Sequence, residues 1–146
     1  MWNLKDKTVV ITGATNGIGK AAALELAKQG PKLLLTFRNQ ELADNLLAEI
    51  KTAAPDVSVE LIYCDFSMQS SIRECSKEIV ASQDKIDVLI NNAGVVNTSY
   101  HETSEGIENT FAVNHLGYFL FTNLLLNKMK GPEESRIINV SSAAHS

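Results

Sequence analysis

The chain has few cysteines, few histidines and no long apolar run, and each shortage excludes a class of protein. Its 146 residues contain two cysteines, which are too few for a disulfide framework and fit a reducing compartment. His101, His115 and His145 lie far apart, without the spacing of metal ligands. No apolar run approaches the ~20 residues of a membrane span, and the N-terminus lacks the apolar core of a signal peptide. We therefore expect a cytoplasmic protein without a metal site or a transmembrane segment.

Basic residues are also in a minority. The chain has 13 lysines and arginines against 17 aspartates and glutamates, which gives a net charge of -4. Nucleic acid is therefore not an expected partner, because phosphate binding needs clustered cationic side chains. A hydrophobic content of 45% over this length is typical of one soluble domain with its own core.

Apolar runs alternate with helical patterns along the whole chain, which is typical of βαβ units and a parallel sheet. The strand-like runs are Thr8–Thr12, Lys32–Phe37, Val57–Tyr63, Ile86–Asn91 and Arg136–Ser141. The third run alternates apolar and polar residues, which suits the edge position that the third strand has in the order 3-2-1-4-5. The sequence therefore predicts an α/β fold with a five-stranded, doubly wound parallel sheet of the Rossmann type.

Helices are predicted between these strands. The first is expected to bury Ile18, Ala22 and Leu26, and the second to bury Leu42, Leu46 and Ile50. The segment Ser71–Glu74 resembles a capping box at the start of the third helix. A longer helix is predicted from about Gly106 to Lys130; its apolar residues are Phe111, Leu116, Phe119, Leu120 and Leu124.

A glycine-rich loop follows the first strand and opens the first helix. Such a turn lets the backbone approach a pyrophosphate, which then lies at the positive end of the helix. The Gly-x3-Gly-x-Gly spacing differs from the Gly-x-Gly-x-x-Gly fingerprint of many dehydrogenases, and a tight turn without a ligand is the alternative. The predicted cofactor-binding residues of this loop are Gly13, Thr15, Asn16, Gly17, Ile18 and Gly19.

The residues after the second strand bear on the choice of cofactor. An NAD site usually has a carboxylate there for the ribose hydroxyls, but the first acid in this chain is Glu41. Arg38 would instead meet a 2′-phosphate, whose geometry suits a planar guanidinium. NADP(H) is therefore favoured over NAD(H), with a plain surface arginine as the alternative.

These blocks resemble the short-chain dehydrogenase/reductase family. The family's Thr-Gly-x3-Gly-Ile-Gly loop matches Thr12–Gly19, and Asn91–Gly94 matches a second block, Asn-Asn-Ala-Gly. The resemblance covers the whole chain and implies a single dinucleotide-binding Rossmann domain over residues 1–146 that is incomplete at its C-terminal end. Val113–Leu120 and Arg136–His145 look like the retinol dehydrogenase-like branch, which acts on lipophilic carbonyls and alcohols, commonly with NADP(H).

The resemblance also implies roles for residues outside the glycine loop. Asn92 would brace the centre of the sheet beside Thr12, while Ala93 and Gly94 would let the cofactor lie against the backbone. Asp65 looks like the family aspartate that bonds the adenine amino group, and its neighbour Phe66 is expected in the same site. A helix N-terminal cap is the alternative for Asp65.

Hydride transfer to a carbonyl needs a group that polarises the carbonyl and a proton donor for the developing alkoxide. By resemblance, Ser142 orients the carbonyl and Asn114 holds a water of the proton relay. Ser141 is expected to point into the sheet or to cap the strand end, because neighbouring strand residues face opposite ways.

The family's proton donor is a tyrosine with a lysine four residues later, and this pair is missing. Four residues after Tyr63, Tyr100 and Tyr118 come Ser67, Ser104 and Thr122. We therefore expect an NADP(H)-dependent oxidoreductase by lineage, acting on a small-molecule alcohol or carbonyl in a longer parent and inactive as this chain alone. A non-catalytic nucleotide-binding or interaction module is the alternative. A sugar-nucleotide epimerase-like relative fits less well, because that group has different glycine spacing.

The family also packs the asparagine-bearing helix beside the helix that carries tyrosine and lysine, often in a dimer interface. Phe111, Phe119 and Phe121 would then lose part of their cover, so the isolated chain is expected to be unstable, to aggregate or to pair. The resemblance allows a homo-oligomer through the helix around residues 106–130. The N-terminal membrane anchor of many members is not expected here.

Overall fold

Five parallel strands of the described residues form one sheet in the order β3-β2-β1-β4-β5, which confirms the predicted topology. The computed structural model describes residues 2–143. The strands are β1 (Thr8–Ile11), β2 (Lys32–Phe37), β3 (Ser58–Tyr63), β4 (Val88–Asn91) and β5 (Arg136–Asn139). The chain passes from β1 outward to β3 and then returns to β4, so the strand order reverses between β1 and β4. Ligands of such sheets bind outside the carboxyl ends of the strands at this switch point.

Helices cover both faces of the sheet, which explains why the central strands are continuously apolar. They are α1 (Gly17–Ala27), α2 (Gln40–Ala53), α3 (Gln69–Ser82), the single turn α4 (Asn109–Phe111) and α5 (Gly117–Leu125). Alternate residues of β1 enter different cores, since strand side chains alternate between faces. Val9 and Ile11 pack in the core on the α1 and α2 side, whereas Val10 packs in the core on the α3 and α5 side.

The predicted edge position of the third strand is confirmed. β3 pairs with β2 on one side, and its end residues Ser58 and Tyr63 are exposed. At the opposite edge, β5 pairs with β4 and all four of its residues are exposed.

The predicted stripe of α1 is wrong by one position. The buried residues are Gly19, Ala23 and Ala27, whereas the Ile18 side chain is 69% exposed. The helix contacts the sheet through its smallest side chains, which brings its backbone close to the strands. In α2, Leu46 and Ile50 are buried as predicted, but Ala43 takes the place expected for Leu42.

The capping box predicted for the third helix is also wrong, because α3 begins at Gln69 and its N-cap is Met68. The Ser71 hydroxyl instead accepts a hydrogen bond from the backbone N–H of Asp65 at 2.8 Å. The acceptor at the helix start comes from a distant loop: a Glu105 carboxylate oxygen lies 3.0 Å from the Gln69 nitrogen. Capping from a distant loop leaves no local sequence pattern.

The long helix is observed over residues 109–128, but it is not uniform. A π turn (Ala112–Leu116) joins α4 to α5, and a 3-10 turn (Leu126–Lys128) ends the segment. The expected loss of cover is wrong for Phe121, which is fully buried and packs edge-on against Phe66 with ring centroids 5.3 Å apart. Phe111 and Phe119 are 51% and 65% exposed.

Candidate functional site

The glycine loop after β1 is held against the loop after β4 so closely that two of its residues must be glycine. Gly13 has a φ of +64°, and a Cβ there would lie 2.7 Å from the Ala93 Cα. A Cβ on Gly19 would lie 2.3 Å from the Gly13 carbonyl oxygen and 2.4 Å from the Asn92 side-chain nitrogen. The two positions therefore let the start of α1 reach the carboxyl ends of β1 and β4.

Thr12 and Asn92 connect the same two strand ends. The Thr12 hydroxyl oxygen accepts hydrogen bonds from the backbone N–H groups of Asn92 at 2.9 Å and Ala93 at 3.0 Å. The Asn92 amide nitrogen donates to the Gly13 carbonyl at 3.0 Å. These bonds support the bracing role that the family resemblance implies for Asn92, which stays a prediction.

The start of α1 has the character of an anion site. Its N-cap, Asn16, makes no side-chain capping bond, and the first turn carries no acidic residue. The first-turn N–H groups of a helix have no partner within the helix, and the helix dipole is positive at that end. Gly17 has a φ of +54° with open space around it. A phosphate group is the ligand that this combination favours.

A cleft of about 180 Å³ crosses the carboxyl ends of the strands and brings most of the predicted cofactor residues together. The predicted residues that line it are Gly13, Thr15, Asn16, Arg38, Asp65, Phe66, Ala93 and Gly94. Gly17, Ile18, Gly19 and Asn92 are not part of its lining. Gly19 and Asn92 lie behind the loop, where they determine its packing.

Sequence analysis missed several residues of the cleft. They are Thr36, Phe37, Asn39, Leu42, Cys64, Val95 and Val113. Two of them could have been found from the sequence. Asparagine is a common helix N-cap, so Asn39 marks the start of α2 beside Arg38, and Leu42 follows in the first turn of that helix. The Asn39 side-chain oxygen accepts from the Leu42 N–H at 3.1 Å.

Arg38 stands at the end of the cleft where β2 leads into α2. Its side chain is exposed, and no acidic side chain between residues 2 and 143 forms an ion pair with it. It is therefore a cation that can meet an anionic ligand without first breaking a salt bridge.

Asp65 follows β3 in a tight turn. One carboxylate oxygen accepts from the Ser67 N–H at 2.9 Å and from the Ser67 hydroxyl at 2.7 Å. Asp65 is not the N-cap of α3, because that position belongs to Met68. The turn holds the carboxylate at the wall of the cleft, and its role toward adenine remains a prediction.

The neighbouring thiols are packing groups. Cys64 and Cys75 are both buried and unbridged. Hydrogen bonding with Cys75 and burial raise the pKa of the Cys64 thiol far above its ordinary value. Cys64 therefore stays protonated and does not act as a nucleophile.

Asn114 lies in the π turn and clamps the loop after β4. Its side-chain oxygen accepts from the Val95 N–H at 2.8 Å, and its side-chain nitrogen donates to the Val95 carbonyl at 2.8 Å. Single π turns inside helices occur frequently at functional sites. The predicted water-holding role is untested, but this clamp fixes the loop that forms one wall of the cleft.

Ser141 and Ser142 follow β5 and are exposed. Ser141 does not point into the sheet, because it lines a groove of about 380 Å³ together with Asn114, Tyr118 and Asn139. The alternative expectation, that Ser141 caps the strand end, stays a prediction. β5 ends at Asn139, so the alternation of a strand no longer applies at Ser141. Ser142 follows this groove residue at the same end of the sheet.

A side-chain network that sequence analysis missed joins the buried Asn91 to the end of β5. The Asn91 side-chain nitrogen donates to the Thr122 hydroxyl and to the Asn139 side-chain oxygen, each at 2.9 Å. Among the described residues, the buried Asn91 side-chain oxygen has no hydrogen-bond partner. The network joins β4, α5 and β5, so it holds the end of β5, from which the chain continues to Ser141 and Ser142.

None of the three tyrosines has the environment of a proton donor. The Tyr100 hydroxyl donates to Glu102 at 2.7 Å, and this bond raises the pKa of Tyr100. Burial raises the pKa of the half-buried Tyr118. Tyr63 is exposed at the β3 edge of the sheet, and its ring packs edge-on against Phe37.

Two further expectations concern membranes and metals. Within residues 2–143, no helix is long and apolar enough to cross a membrane. The same residues contain no group of three or more side chains placed to hold a metal ion. His145, the third histidine of the sequence, lies outside the described residues.

Comparison with known proteins finds one family over nearly the whole chain. The sequence profile of the short chain dehydrogenase family matches residues 7–146. Retinol dehydrogenase 13 of Homo sapiens is 45% identical over 139 residues, which cover 95% of this chain and 42% of that protein. Retinol dehydrogenase 11 of Homo sapiens is 45% identical over 142 residues, which cover 97% of this chain and 45% of that protein.

A solved structure agrees with these sequence matches. The blue fluorescent protein from a metagenomic library, in complex with NADPH, superposes with a TM-score of 0.82 at 26% identity. The match covers 97% of this chain and 58% of that chain. The present chain thus spans less than half the length of the curated relatives it matches.

Proposed function

The chain belongs to the short-chain dehydrogenase family, and from this premise we propose that it forms the NADP(H)-binding part of an oxidoreductase acting on alcohols and carbonyls. The observation that carries the proposal is the cleft at the switch point of the sheet. There the glycine loop, Asp65 and the Ala93–Gly94 backbone line one surface, with Arg38 at its end.

The site fits a nicotinamide dinucleotide because its backbone surfaces are bare. A Cβ at Gly13 or Gly19 would clash with neighbouring atoms at the junction of the two loops. The start of α1 has no side-chain cap, so it offers its N–H groups to a pyrophosphate. Ala93 and Gly94 present little side chain at the middle of the cleft. The NADPH complex of the structural relative supports a cofactor of this class.

Arg38 supports the choice of NADP(H). A 2′-phosphate carries negative charge and acceptor oxygens, and a guanidinium can bond two of them at once. The start of α2 adds the positive end of a helix dipole at the same place, and Asn39 belongs to it. A carboxylate that would repel the phosphate is absent from residues 38–40.

When bound, a nicotinamide supplies or accepts the hydride in an alcohol–carbonyl interconversion. In this proposal the Ser142 hydroxyl donates a hydrogen bond to the substrate oxygen and orients it. Asn114 holds the loop after β4 through Val95, so that the wall of the site keeps its position. A hydrogen-bond donor at the developing charge lowers the barrier to hydride transfer.

The substrate class comes from the relatives. Two of them are retinol dehydrogenases, so we propose a lipophilic small-molecule alcohol or carbonyl as the substrate of the longer parent. The 146 residues alone contain no tyrosine with a lysine four positions later. They are therefore expected to bind the cofactor without turning substrate over.

Self-association through the segment 109–128 belongs to the same proposal. Phe111 and Phe119 expose about half or more of their surface there, at 51% and 65%. A cytoplasmic location also stays a prediction, and the two buried, unbridged cysteines support it.

The test is a calorimetric titration of the purified chain with NADPH and with NADH. NADPH is expected to bind more tightly, and Arg38→Ala should weaken NADPH binding about 10- to 150-fold, as expected for a charged hydrogen bond of ~1.5–3 kcal/mol. The dissociation constant of NADH should not change. Arg73→Ala removes an exposed arginine of α3 and serves as the matched control. Equal or tighter binding of NADH by the wild-type chain would overturn the NADP(H) assignment.

A non-catalytic nucleotide-binding module is the second candidate, and the missing tyrosine–lysine pair is the observation that favours it. The two functions predict different lengths for the polypeptide that cells make from this gene. An antibody against the glycine-loop domain would detect a polypeptide of 15.9 kDa in cells if the module is correct. A product about twice as long would favour the oxidoreductase.

A further inference from the structure

The glycine loop contains an asparagine that is followed directly by a glycine, Asn16 and Gly17. No other asparagine of the sequence precedes a glycine. The side-chain amide of an asparagine can react with the backbone nitrogen of the next residue, because the two close a succinimide ring. The side chain of that next residue normally hinders the approach, but glycine has none. The sequence therefore places the asparagine that is most open to this reaction at the start of α1.

The local structure leaves the two reacting groups accessible to each other. Asn16 is exposed in extended backbone, with a φ of -152° and a ψ of 173°, and its side chain makes no capping hydrogen bond. The Gly17 N–H is the first of α1, so no carbonyl of the helix accepts it. A Cβ on Gly17 would meet nothing within 4 Å. The Asn16 side chain therefore has room to turn toward the Gly17 nitrogen.

Ring closure turns the peptide between these two residues and breaks one hydrogen bond. The Lys20 N–H donates to the Asn16 carbonyl at 3.1 Å, and this is the terminal bond of α1. The ends of helices fray. The loop behind is held through Thr12 and Asn92 rather than through Asn16. The peptide can therefore turn while the contact between the two loops stays intact.

Two other exposed asparagines lack this combination. Asn45 lies inside α2 and precedes a buried leucine, whose N–H donates to a carbonyl of the same helix. Asn39 precedes a glutamine, and its side-chain oxygen already accepts from the Leu42 N–H at 3.1 Å. The reaction is therefore expected at Asn16 before it occurs at Asn39 or Asn45.

We propose that Asn16 is a modification site, at which spontaneous deamidation places a carboxylate in the cleft where α1 begins. The Gly17 nitrogen gives its proton to water and bonds to the carbonyl carbon of the Asn16 side chain. The bond from that carbon to the amide nitrogen breaks, and the nitrogen takes up a proton and leaves as ammonia. One water molecule then opens the ring at either carbonyl, which gives aspartate or isoaspartate. The reaction needs no oxidant and no enzyme.

The effect of this reaction on the cleft rests on the proposed function. The first turn of α1 carries no acidic residue, which suits a pyrophosphate. A carboxylate in place of the Asn16 amide would repel the phosphates, and isoaspartate would also lengthen the backbone before Gly17. With aspartate the helix itself gains, because aspartate is a good N-cap and its charge suits the positive end of the dipole. NADP(H) binding should therefore fall while the fold keeps its stability.

The first test follows the reaction in the purified chain by peptide mass spectrometry. After incubation in mildly alkaline water enriched in heavy oxygen, the tryptic peptide Thr8–Lys20 should gain the mass of an amide-to-acid change with one heavy oxygen. The peptide Asn39–Lys51 of the same sample contains Asn39 and Asn45 and should stay unchanged. Asn16→Ser should abolish the mass gain, since serine has no amide. Saturating NADPH should slow the gain in wild type, because the cofactor covers the start of α1.

The second test separates the new charge from damage to the fold. Asn16→Asp supplies the carboxylate in homogeneous form, and Asn16→Ser is its uncharged match, because both side chains cap helices. Asn16→Asp should bind NADPH at least about 10-fold more weakly than Asn16→Ser, since like charges at close range repel. The melting temperature of Asn16→Asp should be no lower than that of Asn16→Ser.

The results that would overturn the inference differ from those that bear on the proposed function. Absence of the mass gain at Asn16, or an equally fast gain in Asn39–Lys51, would overturn the modification site. Equal NADPH binding by Asn16→Asp and Asn16→Ser would overturn its effect on the cleft. A wild-type chain that binds neither dinucleotide would contradict the proposed function, and the mass of Thr8–Lys20 would still decide whether Asn16 deamidates.

Discussion

At the scale of single residues, Gly13 shows why the contact between the loops after β1 and β4 needs a residue without a side chain. Its φ of +64° lies in the region that favours glycine, and a Cβ would meet Ala93 backbone atoms at 2.7 and 2.9 Å. Backbone atoms cannot move aside as a flexible side chain can. Both the conformation and the space therefore select glycine at this position.

Gly13→Ala should consequently lower the free energy of unfolding by about 3 kcal/mol, from the left-handed conformation and the overpacking together. It should also weaken NADPH binding, because the loop must shift. Urea denaturation followed by circular dichroism measures the first effect, and calorimetry measures the second.

Gly106→Ala is the matched control for that prediction. Gly106 has a similar φ of +77°, but a Cβ there would meet nothing within 4 Å. Gly106→Ala should lower the free energy of unfolding by about 1 kcal/mol, because only the left-handed backbone conformation is unfavourable for alanine there. Equal losses for the two variants would show that the close approach to Ala93 contributes nothing.

The positions of single residues could be predicted where a motif requires them. Gly13, Asp65 and Gly94 line one cleft, and cofactor binding by these residues stays a prediction. The helical pattern predicts a buried Leu42, because this residue is apolar and lies four residues before Leu46. In the structure Leu42 is 38% exposed and lines the cleft, while Ala43 is buried. Periodicity locates a helical stripe to within one position, and only the packing decides between neighbours.

At the scale of elements, the start of the helical segment 109–128 depends on one carboxylate. The two Glu108 carboxylate oxygens accept from the Thr110 N–H at 2.9 Å and the Phe111 N–H at 2.7 Å. These two bonds hold the pKa of Glu108 below its ordinary value, and the bond from Phe111 has the larger effect. The cap precedes the π turn that carries Asn114, so it supports the clamp on Val95.

Stability should therefore depend on pH through Glu108. A lowered pKa in the folded state means that the charged carboxylate stabilises the fold above the unfolded pKa of about 4.3. This stabilisation should be lost as the pH falls through the lower folded value. The difference in urea midpoint between wild type and Glu108→Gln should be largest near neutral pH and should shrink below about pH 4.

Glu78→Gln controls for the general effect of removing a charge, because Glu78 is an exposed residue of α3. Its difference from wild type should be small at neutral pH. A Glu108→Gln difference that stays constant from neutral to acid pH would contradict the capping argument.

Strand positions were predictable to within two residues at each end because apolar runs and turns bound them. The start of α3 was not, since its capping acceptor is Glu105, 36 positions away in sequence. The π turn could not be predicted from the sequence either. It places Val113 in the core and lets Asn114 bond to the loop after β4, and these contacts involve residues that are distant in sequence.

At the scale of the whole molecule, two phenylalanines of one helix have opposite environments. Phe119 is 65% exposed, whereas Phe121 is fully buried against Phe66. An exposed aromatic ring contributes little to the stability of a monomer but promotes association. A buried ring contributes through packing.

Phe119→Ala should therefore reduce light scattering by the purified chain while changing the free energy of unfolding by no more than about 0.5 kcal/mol. Phe121→Ala should lower that free energy by about 3–5 kcal/mol. Scattering and urea denaturation of both variants provide the comparison. Unchanged scattering by Phe119→Ala would argue against association through residues 109–128.

The sequence by itself determined the family, the parallel sheet and its strand order, because apolar runs, glycine spacing and short motifs are local. It also determined that no tyrosine has a lysine four residues later, since that is a matter of counting. Only the tertiary structure decided that Asn114 clamps Val95 and that Asn91 joins Thr122 to Asn139. These features depend on which segments meet in space, and hydrogen bonds between distant segments leave no periodic trace along the chain.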